Sequence, residues 1–238
     1  MCSVENWFFK NDFIDPRECD AATNGSPMKT KNYLELVRSW PQVGRHILGQ
    51  FDERSIYVYQ AYRPSIAEYA VANQRFGGDF SYARMSWIKP NFLWMMYRSG
   101  WATKEGQERI LAIRLGVTFF DELLRSSVPS SRDPERFDSD ASWRQAVAES
   151  DVRMQWDPDH DPSGRALERR AVQLGLRGEM LRRYGEREVL SITDITDFVA
   201  VQRRHLESDI RLLEVPSESV YVPEVTAARV AGVEAVPV

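Results

Sequence analysis

Short stretches of β-type alternation and short stretches of helical spacing follow one another along this chain, and neither pattern persists. That rhythm is the strongest constraint on the fold. Ser55-Ile-Tyr-Val-Tyr-Gln-Ala-Tyr62 alternates and is rich in β-formers, which predicts a strand. Pro64-Ser65 then opens a helix through Ala67, Tyr69, Ala70 and Asn73, stopped by Gly77-Gly78. Glu108 to Leu115 predicts a second strand, followed by a helix from Thr118 that carries Phe119, Phe120, Leu123 and Leu124. The second half continues in the same way. Strands are expected at Val152 to Trp156, Arg170 to Leu176 and Val189 to Ile192, with a turn at Asp157 to Gly164. Helices are expected at Lys29 to Trp40, Ala141 to Glu149, Gly178 to Tyr184, and from Thr193 or Asp194 through Leu206. Ser127 to Ser139 reads as a surface loop and Val220 to Val222 as a last edge strand. No connection demands a parallel βαβ unit. The expectation is an α+β fold: a single domain with a curved mixed or antiparallel sheet flanked by short helices. Its expected extent is 29–226, between a peripheral segment (1–28) and a disordered tail (227–238).

With 238 residues, 43% hydrophobic and 28% charged, the chain suits a soluble globular protein. A formal charge of −4 gives no global reason for nucleic-acid or membrane binding, so such a function needs a local patch. Cys2 and Cys19 lack metal-ligand spacing and fit a reducing compartment. No apolar stretch approaches the roughly 20 residues of a membrane span, and no secretory signal opens the chain. A cytoplasmic location without a membrane partner is expected.

Chemistry concentrates between Arg84 and Trp101, where three of the seven tryptophans (Trp87, Trp94, Trp101) and three of the seven methionines fall. Arg84, Lys89 and Arg98 are threaded between them. Pro90 and Gly100 bracket a short buried helix over 90–98, which puts Trp94 and Arg98 on one face. Two readings fit. The aromatics stack a base or nicotinamide ring while Lys89 and Arg98 hold phosphate, or the helix is core with cations snorkelling at its rim. Gln60-Ala-Tyr62-Arg63-Pro64 ends a strand where side chains project over a cleft, so Arg63 is a candidate for phosphate or ribose and Tyr62 for capping it.

Two further features carry weaker signals. Asp157, Asp159, Asp161 and Glu168 follow the calcium-loop rhythm, but Pro162 stands where the turn requires glycine. An acidic turn fits better, and no metal is assigned. Arg165, Arg169, Arg170, Arg177, Arg182, Arg183 and Arg187 form a basic concentration interleaved with glutamates, which reads as a solvated face or as a phosphate contact. Gly-rich phosphate loops, G-x-S-x-G, H-E-x-x-H and paired CxxC motifs are absent from the sequence. His46, His160 and His205 have no nucleophile at a recognisable spacing.

Five stretches resemble the domain-of-unknown-function 4291 family over about residues 32 to 223. They are Gly44-Arg-His-Ile-Leu, Ile56 to Pro64, Arg84 to Trp101, Gln155 to Pro162 and Arg170 to Gly178. That resemblance implies a single domain and no particular activity. At the level of architecture, a strand ending in Tyr62-Arg63, then a helix, then Phe76-Gly77, is similar to the opening of ADP-ribosyltransferase-like folds. In those proteins an Arg or His ends the first strand and holds NAD, a hydroxyl or aromatic follows, and a late Glu or Gln steers ribosyl transfer. The resemblance therefore implies Arg63 at the first position, Tyr97 or Ser99 at the second, and Gln173 or Glu218 at the third. The chain departs from the pattern in having no Ser-Thr-Ser triplet. NAD is the implied cofactor, bound among Gln60, Tyr62, Arg84, Trp87, Lys89, Trp94, Arg98 and Trp101, with RNA or protein as acceptor. The competing expectation is a non-catalytic nucleotide- or RNA-binding module using the same residues.

Overall fold

The computed structural model describes residues 28–235, so Cys2, Cys19 and nearly all of the expected peripheral segment lie outside the described residues. The chain starts with β1 (Thr30–Asn32), a single helical turn α1 (Tyr33–Leu36) and a 3₁₀ turn over Val37–Ser39. A continuous helix was expected here. Instead Asn32 accepts a bond from the Leu34 amide and caps the short turn, while residues 30–32 pair with a distant strand. Next come β2 (Ile47–Gly49), β3 (Ser55–Tyr62), α2 (Pro64–Asn73), β4 (Ser86–Ile88) and α3 (Phe92–Ser99). The middle comprises β5 (Arg109–Gly116), α4 (Val117–Arg125), β6 (Ser127–Pro129) and α5 (Asp140–Glu149). Then follow β7 (Val152–His160), β8 (Ala166–Leu176), α6 (Gly178–Arg183) and β9 (Val189–Asp194). The last elements are α7 (Thr196–Ser208), β10 (Glu214–Pro216), β11 (Ser219–Tyr221) and α8 (Val225–Ala231).

This is a mixed α+β domain, but its strands do not form one sheet. β3-β5-β9 is wholly antiparallel; β4-β8-β7-β6 is antiparallel except that β6 runs parallel to β7. Two small ribbons, β1-β10 and β11-β2, lie apart from them. The two larger sheets meet where Tyr59 forms a backbone bridge with Lys89, the Tyr59 amide donating to the Lys89 carbonyl at 2.7 Å. Pro90 has no N–H to extend that ladder, and α3 begins two residues later. The junction therefore consists of one bridge, which is why a single continuous sheet does not form.

Both faces of the three-stranded sheet are covered. Ile56 and Val58 of β3 and Leu111, Ile113 and Leu115 of β5 enter one core, while Tyr57, Tyr59, Ile110 and Ala112 enter the other. Full burial of such aliphatic chains stabilises the fold by about 1.5–3 kcal/mol each. Two other expectations change. Asp157 to Gly164 is not a free turn, because β7 runs on to His160 against β8 with a register shift between Pro158 and His160. Proline is tolerated there because β6 ends at Pro129, opposite Met154, leaving β7 without a second neighbour beyond that point. The expected disordered tail (227–238) begins inside α8, which runs from Val225 to Ala231 and is capped by Glu224, whose carboxylate accepts from the Thr226 and Ala227 amides. Ala227 and Ala231 are buried in the core, so the small side chains allow close packing rather than signalling disorder.

Candidate ligand cleft at the junction of the sheets

Helix α3 organises the junction. Asn91 caps it by accepting from the Trp94 amide at 2.7 Å, and Gly100 closes it in the left-handed region at φ 59°. At its N-terminus Glu218 accepts from the Phe92 amide at 2.6 Å and from the Asn91 side chain at 3.2 Å. Burial holds the Glu218 carboxyl well above the usual carboxylate range. Phe92 and Met96 fill the second core, whereas Trp94 and Arg98, one helical turn apart, look onto a cleft.

The cleft has two lobes. The first, about 520 Å³, lies over the end of β3 and β4 and includes Arg63, Arg84 and Met95. The second, about 370 Å³, includes Trp94, Gln155, Asp157 and Gln173. Trp87, Lys89 and Arg98 line both lobes and so mark their junction.

Trp87 is held flat by its neighbour across the sheet. It pairs with Gly175 in β8, where a Cβ would lie 2.9 Å from the indole and 2.7 Å from Met85 Sδ. Only glycine leaves room for that ring against the strand. Lys89 is 5% exposed, and among the described residues its ammonium has no hydrogen bond or ion pair. Burial first and nearby Arg98 second, partly opposed by Asp157, pull its pKa down to about 7. The exposed guanidinium groups of Arg84 and Arg98 likewise have no hydrogen-bond or ion-pair partner among the described residues. In the second lobe Asp157 is gripped by two amides, accepting from Gln155 Nε2 at 2.7 Å and Gln173 Nε2 at 2.6 Å. The two glutamines face each other in the β7–β8 register. Trp94 stacks beside His160, and its buried indole N–H has no partner among the described residues.

Gln60 and Tyr62 line the first lobe but are largely occupied by the fold. Gln60 donates to Ser86 Oγ (2.8 Å) and the Trp87 carbonyl (3.0 Å) and accepts from the Tyr184 hydroxyl (2.6 Å). The Tyr62 and Ser86 hydroxyls bond at 2.8 Å. Burial raises the Tyr62 and Tyr184 hydroxyls above the usual range, so both stay protonated; Tyr62 ties β3 to β4, and Tyr184 ties the turn after α6 to β3. Arg63 sits at the rim, more than half exposed and paired with Asp79 at 3.2 Å.

Three residues that the resemblance implied lie elsewhere, as does the tryptophan ending the run. Tyr97 stacks on His160 with centroids 3.5 Å apart and faces a different depression beside Gly164. Ser99 is buried and bonds back to the Met96 carbonyl. Glu218 is enclosed beneath α3. Trp101, 9% exposed, packs edge-on to Phe92 and donates to the Pro162 carbonyl, so it belongs to the core. The calcium reading also fails, because the three aspartates diverge: Asp157 to the glutamines, Asp159 to buried Arg169 at 2.6 Å, and Asp161 to Ser163 and Arg165. The arginine concentration disperses in the same way. Arg169 is buried over Trp40, Arg177 bonds carbonyls at the end of α5, and Arg183 pairs with Glu122 and Glu188.

The features sequence reasoning missed are Asp79, Ser86 and the glycine seat under Trp87. Gly175, inside a run of strand-forming residues, was the available signal for that seat.

The fold and cleft define an α+β protein with an aromatic, cation-lined crevice where an antiparallel and a mixed sheet meet. The chain belongs to the family described as Domain of unknown function (DUF4291), whose model matches residues 46–221. No curated protein matches it.

Proposed function

We propose that the cleft binds a dinucleotide, and that the protein is an ADP-ribosyltransferase-like enzyme using NAD. The observation that carries this reading is the junction of the lobes. There a buried lysine with no hydrogen bond or ion pair among the described residues, its charge only partly offset by Asp157, stands beside Arg98 and a flat indole, with a further chamber on each side. A buried, unpaired ammonium is costly and an anion is its natural partner. A ligand with a ring at each end and negative charge in the middle suits that arrangement, as a pyrophosphate-bridged dinucleotide does. Trp87 supplies a stacking face, and Lys89, Arg98 and Arg84 supply the charge.

NAD would bring a ribose whose bond to nicotinamide is labile. Transfer breaks that bond, the electron pair leaving with nicotinamide, and joins the ribose carbon to an oxygen or nitrogen of the acceptor. Asp157 is the carboxylate suited to take the acceptor's proton and to stabilise positive charge on the ribose. Gln155 and Gln173 hold it in place, so Gln173 acts as a positioning residue. A non-catalytic nucleotide- or RNA-binding module remains the second reading, favoured by the positions of Tyr97, Ser99 and Glu218 outside the cleft.

Thermal unfolding with NAD, ADP-ribose, ATP and short RNA tests the first reading. At 100 times its dissociation constant, a ligand should stabilise the native state by about 2.7 kcal/mol. Stabilisation by RNA alone would overturn NAD binding. Nicotinamide release that is lost in Asp157→Asn, with the NAD-induced shift retained, would separate catalysis from binding.

A further inference from the structure

A second cavity, about 1020 Å³, lies across the edge of β7 from the cleft and shares Gln155 with its lining. Its floor is Met154 to Trp156 on the part of the four-stranded sheet where β7 loses its β6 neighbour. One wall is the 129–136 segment after β6, and the other is the C-terminal end of α8. Two bonds fix the far wall: Arg136 Nη1 donates to the Val230 carbonyl at 2.8 Å, and Trp156 Nε1 donates to the Ala231 carbonyl at 2.9 Å. Gly232, at φ 65°, leaves room for the Arg45 guanidinium, which lies 3.3 Å from where a Cβ would stand.

The chemistry of this groove differs from that of the cleft. Four arginines line it: Arg45, Arg132, Arg136 and Arg229. Arg132 is engaged with Asp140 and the Phe137 carbonyl, and Arg136 with backbone carbonyls. The exposed side chains of Arg45 and Arg229 have no hydrogen-bond or ion-pair partner among the described residues. Two acids, Asp133 and Glu135, stand on the same wall, so the lining is net positive on a chain that is net negative. The half-buried indole of Trp156 adds a planar surface beside planar guanidinium groups.

We propose that this groove binds single-stranded nucleic acid, as the acceptor of the transfer described above. Guanidinium groups meet phosphates as bidentate donors, and indole and guanidinium planes stack bases regardless of sequence. The cavity is about twice the size of the first lobe of the cleft, which suits a chain rather than one nucleotide. Gln155 and Asp157 face the cleft and Trp156 the groove, so a bound strand reaches Asp157 by passing around the edge of β7 beyond Met154, where β6 has ended. The acceptor role rests on the NAD reading; the binding itself does not.

The test uses the full chain and labelled single-stranded RNA and DNA of one sequence, about twelve nucleotides long, with binding read by fluorescence anisotropy at 50 and 200 mM salt. Both strands are expected to bind the wild-type protein. Arg45→Glu with Arg229→Glu should weaken binding at least about tenfold and lower the salt slope by about 1.4, two phosphate contacts' worth. The same double variant should keep its NAD-induced thermal shift, since neither residue lines the cleft. A milder Arg45→Ala, Arg229→Ala pair covers the case in which charge reversal disturbs the fold. Absence of binding to either strand, affinity unchanged in both variants, or equal displacement by polyglutamate would overturn the proposal. Loss of the NAD shift in wild type with strand binding intact would overturn the NAD reading instead and remove the acceptor role.

Discussion

Lys89 makes a measurable demand on stability. Its pKa falls from 10.5 to about 7 because burial disfavours the ammonium and Arg98 repels it. Between those values the unfolded chain holds a proton that the folded chain has released, so stability rises with pH across this window. Below pH 7 the folded state carries the charge and bears the full cost. At about 1.4 kcal/mol per pKa unit, that cost is about 5 kcal/mol as an upper figure. Lys89→Met keeps the side-chain length and removes the charge. The variant should therefore be the more stable protein, by up to about 5 kcal/mol at pH 6 and by roughly half that near pH 8.5. By pH 10.5 the two should converge. Urea unfolding followed by tryptophan fluorescence at pH 6, 8.5 and 10 measures the difference, in which the groups that do not interact with Lys89 cancel. A difference that stays constant with pH, or grows as pH rises, would refute the assignment of Lys89 as a desolvated, unpaired cation. The same variant should lose dinucleotide binding, giving greater stability with less function. That pairing is a signature of a group retained for a ligand rather than for the fold.

Other outcomes follow from the geometry. Gly175→Ala should cost about 1–3 kcal/mol and abolish the ligand-induced shift, because the new methyl displaces Trp87; Tm with and without NAD measures both effects. Arg169→Ala should destabilise the protein by about 3–5 kcal/mol, since it strands Asp159 as a buried unpaired carboxylate. Glu218→Gln should flatten the pH dependence of stability. Wild type, with its folded pKa raised, loses stability as pH rises above the ordinary value of 4.5, and the amide does not; denaturant midpoints from pH 4 to 8 show the difference. Tyr97→Phe should leave nucleotide-induced stabilisation unchanged, because Tyr97 faces away from both lobes; a loss of binding would place it back in the cleft.

Local chemistry was legible where the chain speaks for itself. The alternation of Ser55 to Tyr62 and the Pro90–Gly100 bracket around α3 correspond to observed elements, and Trp94 and Arg98 share a face as their spacing requires. Lys29 to Trp40 misled because helical spacing of Tyr33, Leu34 and Val37 coexists with a pairing to residues 214–216 that no local pattern encodes. The alanine-rich α8 was obscured for a similar reason: small side chains indicate weak local preference, and only α4 and the core show why they suit a tight helix contact. Within the cleft, the division of the tryptophans was invisible. Trp87, Trp94 and Trp101 look equivalent in sequence, yet Trp101 finds the Pro162 carbonyl and becomes core, while Trp87 depends on Gly175 many residues away. Separation of the carboxylates was equally hidden, since Asp157, Asp159 and Asp161 are sorted by partners contributed from β8 and its approach.

The single bridge between Tyr59 and Lys89 has a consequence for how this crevice can vary. The sheets share a hydrophobic core, but beside the bridge they are joined by side chains, Gln60, Tyr62 and Ser86, rather than by a backbone ladder. A ladder has a spacing that no substitution alters, whereas a side-chain joint is as wide as the residues that form it. Substitutions at those three positions therefore act on the width of the crevice and on the stability of the fold together.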